Sequence, residues 1–443
     1  MTGRAICVIT EGATPTLLRR WASRLPGFRC LFNQGSVGAM IGEHVPYEPS
    51  GLYSAFTGHG PHMHGCFSYW HVHNADYVPS IFERAPTPDL LWHRSEMEDF
   101  TFAVVNVFGT HPVRNLNGTS ISYPMRASTH TTHPRNLAVQ LHRDKVSPRH
   151  DVTIWFDAAA RDSFVARVLD ADRRRAAAFA RMRRGDYGPI PDVAVLNLTS
   201  IDRLSHVYWQ ELDCARPIPD GDQAILAAYE LVDAILAEII DTLGSQDQLL
   251  AFSEIGFGAL AHYVSVNEAL EQAGLLRRDA AGNIDWSQTV AFEAVQGTSG
   301  VNLNDRERYR EGTVAAPDLS TVRSDVLAVL DEFINPYTGT AFAAEVRARE
   351  DVYCAGPGRV GAPDIVLDPA DWRYLPLGAT EWASITNRHR QSGWHRRNSY
   401  WAALGPSFTS GKGAPGELRQ VAATIAAHFD RQLPDAAPRL AMA

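Results

Sequence analysis

Four short apolar runs constrain this chain more than any other feature: AICVIT (5–10), FAVVNVF (102–108), DVAVLNL (192–198) and QLLAF (248–252). None alternates apolar with polar residues. Each therefore predicts a strand covered on both faces, as in a parallel sheet. The segments between them have a helical pattern. After the turn EGATP comes TLLRRWASRL, with Thr14 at a cap position and Pro15 opening the helix. DQAILAAYELVDAILAEIIDTL, between the third and fourth runs, is the strongest helix in the chain. Strands alternating with helices predict a three-layer α/β/α fold around a mostly parallel sheet.

The 443 residues are enough for one large domain with insertions. Residues 1–299 read as the core, with a loop-rich insertion at about 59–150 that is dense in Gly, Pro, His and aromatics. Residues 300–360 read as a small inserted cap subdomain, with LSTVRSDVLAVLDEF as a helix and YTGTAFAAEVRARED as a strand-helix piece. Residues 361–443 return to the main sheet near PDIVL (363–367) and YWAALGPSF (400–408) and end in a C-terminal helix.

Charge narrows the partners. The chain has 41 basic and 50 acidic residues, a net charge of −9. Nothing in that balance asks for nucleic acid or a membrane. The densest basic stretch, Arg173-Arg174-Arg175 with Arg181, Arg183 and Arg184, lies in a helical pattern and reads as a solvated face. Five scattered cysteines without a CxxC pair suit reduced thiols. No stretch approaches the roughly 20 apolar residues of a membrane span, and the N-terminal run is too short for a signal peptide. The expectation is a cytoplasmic protein acting on a small molecule, its oligomeric state left open.

The strand tips carry the chemistry, because an open α/β sheet keeps its ligands at the C-terminal ends of its strands. AICVIT ends at Glu11-Gly12, and QLLAF at Ser253-Glu254. DVAVLNL continues as TSIDRLSH, in which Asp202 and His206 stand four apart and share one helix face. His395 sits in a Gly-containing loop before YWAALGPSF. Singly, each is an ordinary cap or surface residue. Together they propose a metal site at one sheet edge.

These pieces, in this order, resemble the alkaline phosphatase superfamily, and within it the type I phosphodiesterase/nucleotide pyrophosphatase branch. The segments are VITEGAT, LPGFRCLFNQGSVGAM, VPYEPSGLYSAFTGHGPHMHGCFSYW, NVFGTHPVRNLNGTSIS, LNLTSIDRLSHVYW, LLAFSEIGFG, YVSVNEALEQAGLL, SGVNLNDRERYREGTV and SGWHRRNSYWAALGP. The resemblance implies two divalent metals at the strand tips. Asp202, His206 and His395 match one metal position. The other departs throughout: Glu11 stands for an Asp, and Glu254-Ile255 for an Asp-His pair. Glu48 stands where the family has its Thr or Ser nucleophile, with Ser50 two residues out of register. A glutamate in place of an aspartate keeps the charge and lengthens the arm by about 1.5 Å. Three glutamates look like a remodelled site rather than an eroded one.

Glu11, Glu48, Asp202, His206, Glu254 and His395 can hold one or two divalent cations. The imidazoles suit zinc, manganese or iron, and the glutamates suit harder ions. The first expectation is a phosphodiesterase-like hydrolase without a Thr or Ser nucleophile. It would use metal-bound hydroxide on a small-molecule, specialised-metabolite type of substrate, with Glu48 as ligand or base. The alternative is a repurposed di-iron, di-manganese or mono-iron enzyme doing redox, elimination or C–C chemistry, since two histidines with four carboxylates are also the dinuclear carboxylate set and two histidines with one carboxylate the mononuclear iron set. A non-catalytic homologue with a structural metal is the third. Tyr69, Trp70, His71, Arg203 and Trp209 are read as substrate-pocket residues, and Asn302 and Asn304 as structural.

Overall fold

The computed structural model describes residues 3–71, 76–82, 87–154, 156, 158–212, 223–295, 297–376 and 391–441. Cys214, one of the five cysteines, lies outside them. The four apolar runs form strands β1 (Ala5–Thr10), β3 (Phe102–Val105), β6 (Val193–Leu198) and β7 (Gln248–Phe252), every residue of them buried. They join β2 (Ser36–Ile41), β4 (Gly118–Ile121), β5 (Thr132–His133) and β8 (Asn398–Leu404) in one ten-stranded sheet. From the edge strand Gly411–Lys412 the order is β2, β8, β7, β1, β6, β3, β4, β5. The fold is mixed α/β, and the sheet is mostly parallel at its centre, where β1 lies parallel between β6 and β7. Its register sets Ile9 against both Asn197 and Phe252. The tips after β1, β6 and β7 therefore share one edge. β8 runs antiparallel between β2 and β7.

Helices flank the sheet. They are α1 (Pro15–Arg20), α2 (Pro26–Gln34), α3 (Glu48–Thr57), α4 (Arg161–Arg184), α5 (Ser200–Tyr208), α6 (Ala224–Asp241) and the C-terminal α7 (Val421–Ala427). Thr14 takes the cap position of α1, but its side chain makes no capping bond. On α4 the solvated-face reading fails at Arg175, which is only 1% exposed and pairs with Asp151 and Asp172, and at Arg183, which is buried over the Phe179 ring. Among the described residues no helix is long and apolar enough to cross a membrane. Cys7, Cys30, Cys66 and Cys354 are free thiols.

The chain divides into two compact units. One holds residues 1–60, 83–257 and 395–443 and contains the large sheet. The other holds 61–82 and 258–394. The second has its own antiparallel sheet of Ala291–Glu293, Gly300–Leu303, Ile365–Pro369 and Ala343–Ala348. Helices Val266–Gln272 and Leu319–Asp331 accompany it, over a core that includes Leu270, Val301, Leu330 and Leu367. PDIVL thus belongs to this second sheet, not to the main one. Its apolar run specifies burial but not which strand it pairs with. Asn304 keeps a structural role: its amide donates to the carbonyls of Trp286, Thr289 and Glu311.

Candidate metal centre

Helix α5 begins one residue past β6, so Asp202 falls in its first turn and His206 one turn later on the same face. His395 lies in the short strand Gly393–Arg396, not in a loop, directly before β8. Glu48 is the first residue of α3, where the helix dipole favours a carboxylate. One ligand atom from each of Glu48, Asp202, His206 and His395 lies within 4.8 Å of the others.

The inner geometry is tighter. His395 Nε2 is 3.0 Å from His206 Nε2 and 3.2 Å from Asp202 Oδ1. His206 Nε2 is 3.4 Å from the same carboxylate oxygen. His395 Nδ1 faces the Pro46 carbonyl at 3.2 Å and Glu48 Oε2 at 3.5 Å. Both are acceptors, which assigns the ring proton to Nδ1 and leaves Nε2 a lone pair aimed at the cluster. A proton between acceptors serves one pair, whereas a cation serves all three. Tetrahedral ligands about 2.0 Å from zinc stand about 3.3 Å apart, close to the spacings found here. The donor set therefore fits a divalent cation.

Glu11 and Glu254 lie beside this cluster rather than within it. Glu11 Oε2 accepts the Asn197 amide at 2.7 Å, and its backbone carbonyl accepts the Asp202 N–H at 3.1 Å. Glu254 is fully buried, and among the described residues neither of its oxygens meets another residue's donor. Burial, then the charges of Glu254, Asp202 and Glu48, hold the Glu11 carboxyl well above the usual range. Burial and Asp202 push Glu254 up to about 8. Burial also acts to raise Asp202, but His206 and His395 outweigh it and hold that carboxylate well below its ordinary value. Burial lowers His395 to about 4, so its imidazole is neutral at pH 7. The negative charge concentrates on Asp202, beside the neutral imidazole of His395.

Other sequence-selected residues have defined places. Arg203 donates to the carbonyls of Asp151 and Ile154 at 3.4 and 2.7 Å. Trp209 stacks on Phe257 at 5.7 Å. Phe257 in turn packs edge-on against both His206 and His395. Phe257 and Asn197 were missed from sequence, although both sit at strand tips in segments already singled out. Tyr69, Trp70 and His71 belong to the second unit. There Trp70 and His71 pair with Ser80–Ile81, and His71 Nε2 meets Ser80 Oγ at 2.9 Å. They line a pocket with Phe67, Phe82, Asn302 and Arg308.

A family model described as type I phosphodiesterase/nucleotide pyrophosphatase matches residues 5–397. No curated protein matches the chain. Among solved structures, phosphonoacetate hydrolase from Sinorhizobium meliloti, in complex with phosphonoacetate, is similar at 16% identity and TM-score 0.59, covering 91% of this chain and 90% of its own. A multiply substituted alkaline phosphatase PafA gives 12% identity and TM-score 0.62, with 99% and 98% covered. Murine ectonucleotide pyrophosphatase/phosphodiesterase 5 gives 11% identity and TM-score 0.56, with 99% and 97% covered. At such identities the likeness establishes the fold: a mixed α/β architecture of the alkaline phosphatase type.

Proposed function

We propose a function from one premise: the chain belongs to the type I phosphodiesterase/nucleotide pyrophosphatase family. It is a metal-dependent hydrolase that acts on a small phosphoester-like or phosphonate-like molecule without a side-chain alcohol as nucleophile. The observation that carries this reading is the convergence of Glu48, Asp202, His206 and His395 within 4.8 Å. The structural neighbours support the substrate class, since they include a phosphonoacetate hydrolase and a nucleotide pyrophosphatase/phosphodiesterase.

Asp202, His206 and His395 would hold the cation, and Glu11 and Glu254 would help to bind a second one. A divalent cation in such a site supplies Lewis acidity toward a phosphoryl oxygen and acidifies water. Glu48, at the start of α3 and 3.5 Å from His395 Nδ1, accepts the proton of the attacking water at its carboxylate. The Pro46 carbonyl fixes the His395 ring through Nδ1. Phe257, backed by Trp209, packs apolar surface against both imidazoles.

The experiment is hydrolysis of a phosphodiester and phosphonate panel, beginning with bis-p-nitrophenyl phosphate. Glu48→Gln should lower turnover by about 10²- to 10⁴-fold, the usual contribution of a positioned base. Ser50→Ala should leave turnover unchanged. The reverse outcome would make Ser50 the nucleophile.

A second reading has an observation of its own. Two histidines and one carboxylate are also the ligand set of mononuclear iron oxygenases. Iron in the purified protein together with substrate-dependent oxygen uptake, and no phosphoester cleavage, would favour it.

A further inference from the structure

Helix α5, which carries Asp202 and His206, is held by buried charges that lie outside the ligand cluster. Asp172 and Arg175 are on α4 and are 0% and 1% exposed. The Asp172 carboxylate accepts the N–H groups of Thr199 and Ser200 at 3.3 and 2.8 Å. Arg175 Nη1 donates to Asp172 Oδ1 at 2.8 Å and to Thr199 Oγ1 at 2.7 Å. Its Nη2 lies 3.0 Å from Asp151 Oδ2. The Thr199 hydroxyl donates onward to Asp151 at 3.1 Å. Arg203, on α5 itself, ties back to the carbonyls of Asp151 and Ile154. From the other side, the Glu11 carbonyl takes the Asp202 N–H.

This arrangement exceeds what the helix needs. Thr199 is a good cap residue and could satisfy the first turn locally. Instead its side chain makes no capping bond and is committed to Arg175 and Asp151. A local cap stabilises a helix wherever the helix happens to lie. A cap from another helix fixes where it lies. Burying two carboxylates and a guanidinium is costly, so the cluster is a poor device for stability alone.

We propose that Asp172, Arg175 and Asp151 are positioning residues that set the affinity of the Asp202–His206–His395 site for a divalent cation by fixing the placement of α5. The inference rests on the metal reading given above. It is tested on the full-length, metal-stripped chain by chelator competition with Zn²⁺. Outer residues that orient ligands typically govern 10- to 100-fold in affinity. Asp172→Asn and Thr199→Val should weaken Zn²⁺ binding by about that factor. Thr199→Ser, which keeps the hydroxyl, should retain wild-type affinity. Amide exchange at Thr199 and Ser200 should quicken in Asp172→Asn. If Asp172→Asn does not fold, the Thr199→Val and Thr199→Ser pair decides. Folded variants with unchanged Zn²⁺ affinity would overturn the positioning role. A wild type with no Zn²⁺ affinity would overturn the metal reading itself.

Discussion

Glu254 shows at the scale of one residue what a bound cation would relieve. Its carboxyl is fully buried, has no donor from another residue among those described, and is pushed up to about 8. The metal-free folded chain therefore keeps a proton there that the unfolded chain gives up near its ordinary value. Stability from this group is present at low pH and is lost as pH rises toward 8. Glu43, raised by burial to about 7, acts in the same direction at slightly lower pH. His395, lowered to about 4, has the opposite sign, but its contribution is complete above the ordinary histidine range. Between pH 7 and 8.5 the metal-free protein should lose roughly 1 kcal/mol through Glu254. Denaturant titrations at the two values should show that slope in the wild type and a smaller one in Glu254→Gln. An unchanged slope in the variant would mean that Glu254 is not the group responsible.

At the scale of elements, the site depends on how closely β1, α3 and α5 approach one another. Gly12 has φ +83°, and a Cβ there would stand 2.9 Å from the Asp202 Cα. Gly12→Ala should cost about 1–3 kcal/mol and also weaken metal binding, because the strain falls on the first turn of α5. Chemical denaturation and Zn²⁺ titration of the same variant check both parts. Gly51→Ala, whose Cβ would meet the Glu254 Cβ at 3.1 Å and Cγ at 3.2 Å, should be milder, because a side chain can yield where backbone cannot. Much of this level was legible in the sequence. AICVIT, DVAVLNL and QLLAF are strands because both faces are buried, and the parallel order then places their tips on one edge. Arg175 was not legible as buried, because helical periodicity cannot reveal a carboxylate from Asp151 arriving through the fold. PDIVL was assigned to the wrong sheet for the same reason. Asp202 and His206 were legible because their spacing is local. Their meeting with His395, nearly two hundred residues away, was legible only through the family resemblance, because no local spacing links them.

At the scale of the whole molecule, folding should be linked to metal. A cation bound only by the folded chain stabilises it by about 2.7 kcal/mol at one hundred times its dissociation constant. Zn²⁺ or Mn²⁺ should therefore raise the melting temperature of the stripped protein, and a chelator should reverse the change. The gain should be larger at pH 8 than at pH 6, because bound cations remove the penalty on Glu11 and Glu254. The most direct measurement is elemental analysis of the protein purified without added metal, beside Asp202→Ala and His395→Ala variants confirmed to be folded. The wild type should hold a stoichiometric divalent metal, and both variants should lose it. Folded wild type without bound metal, or variants that keep the full complement, would contradict the metal reading.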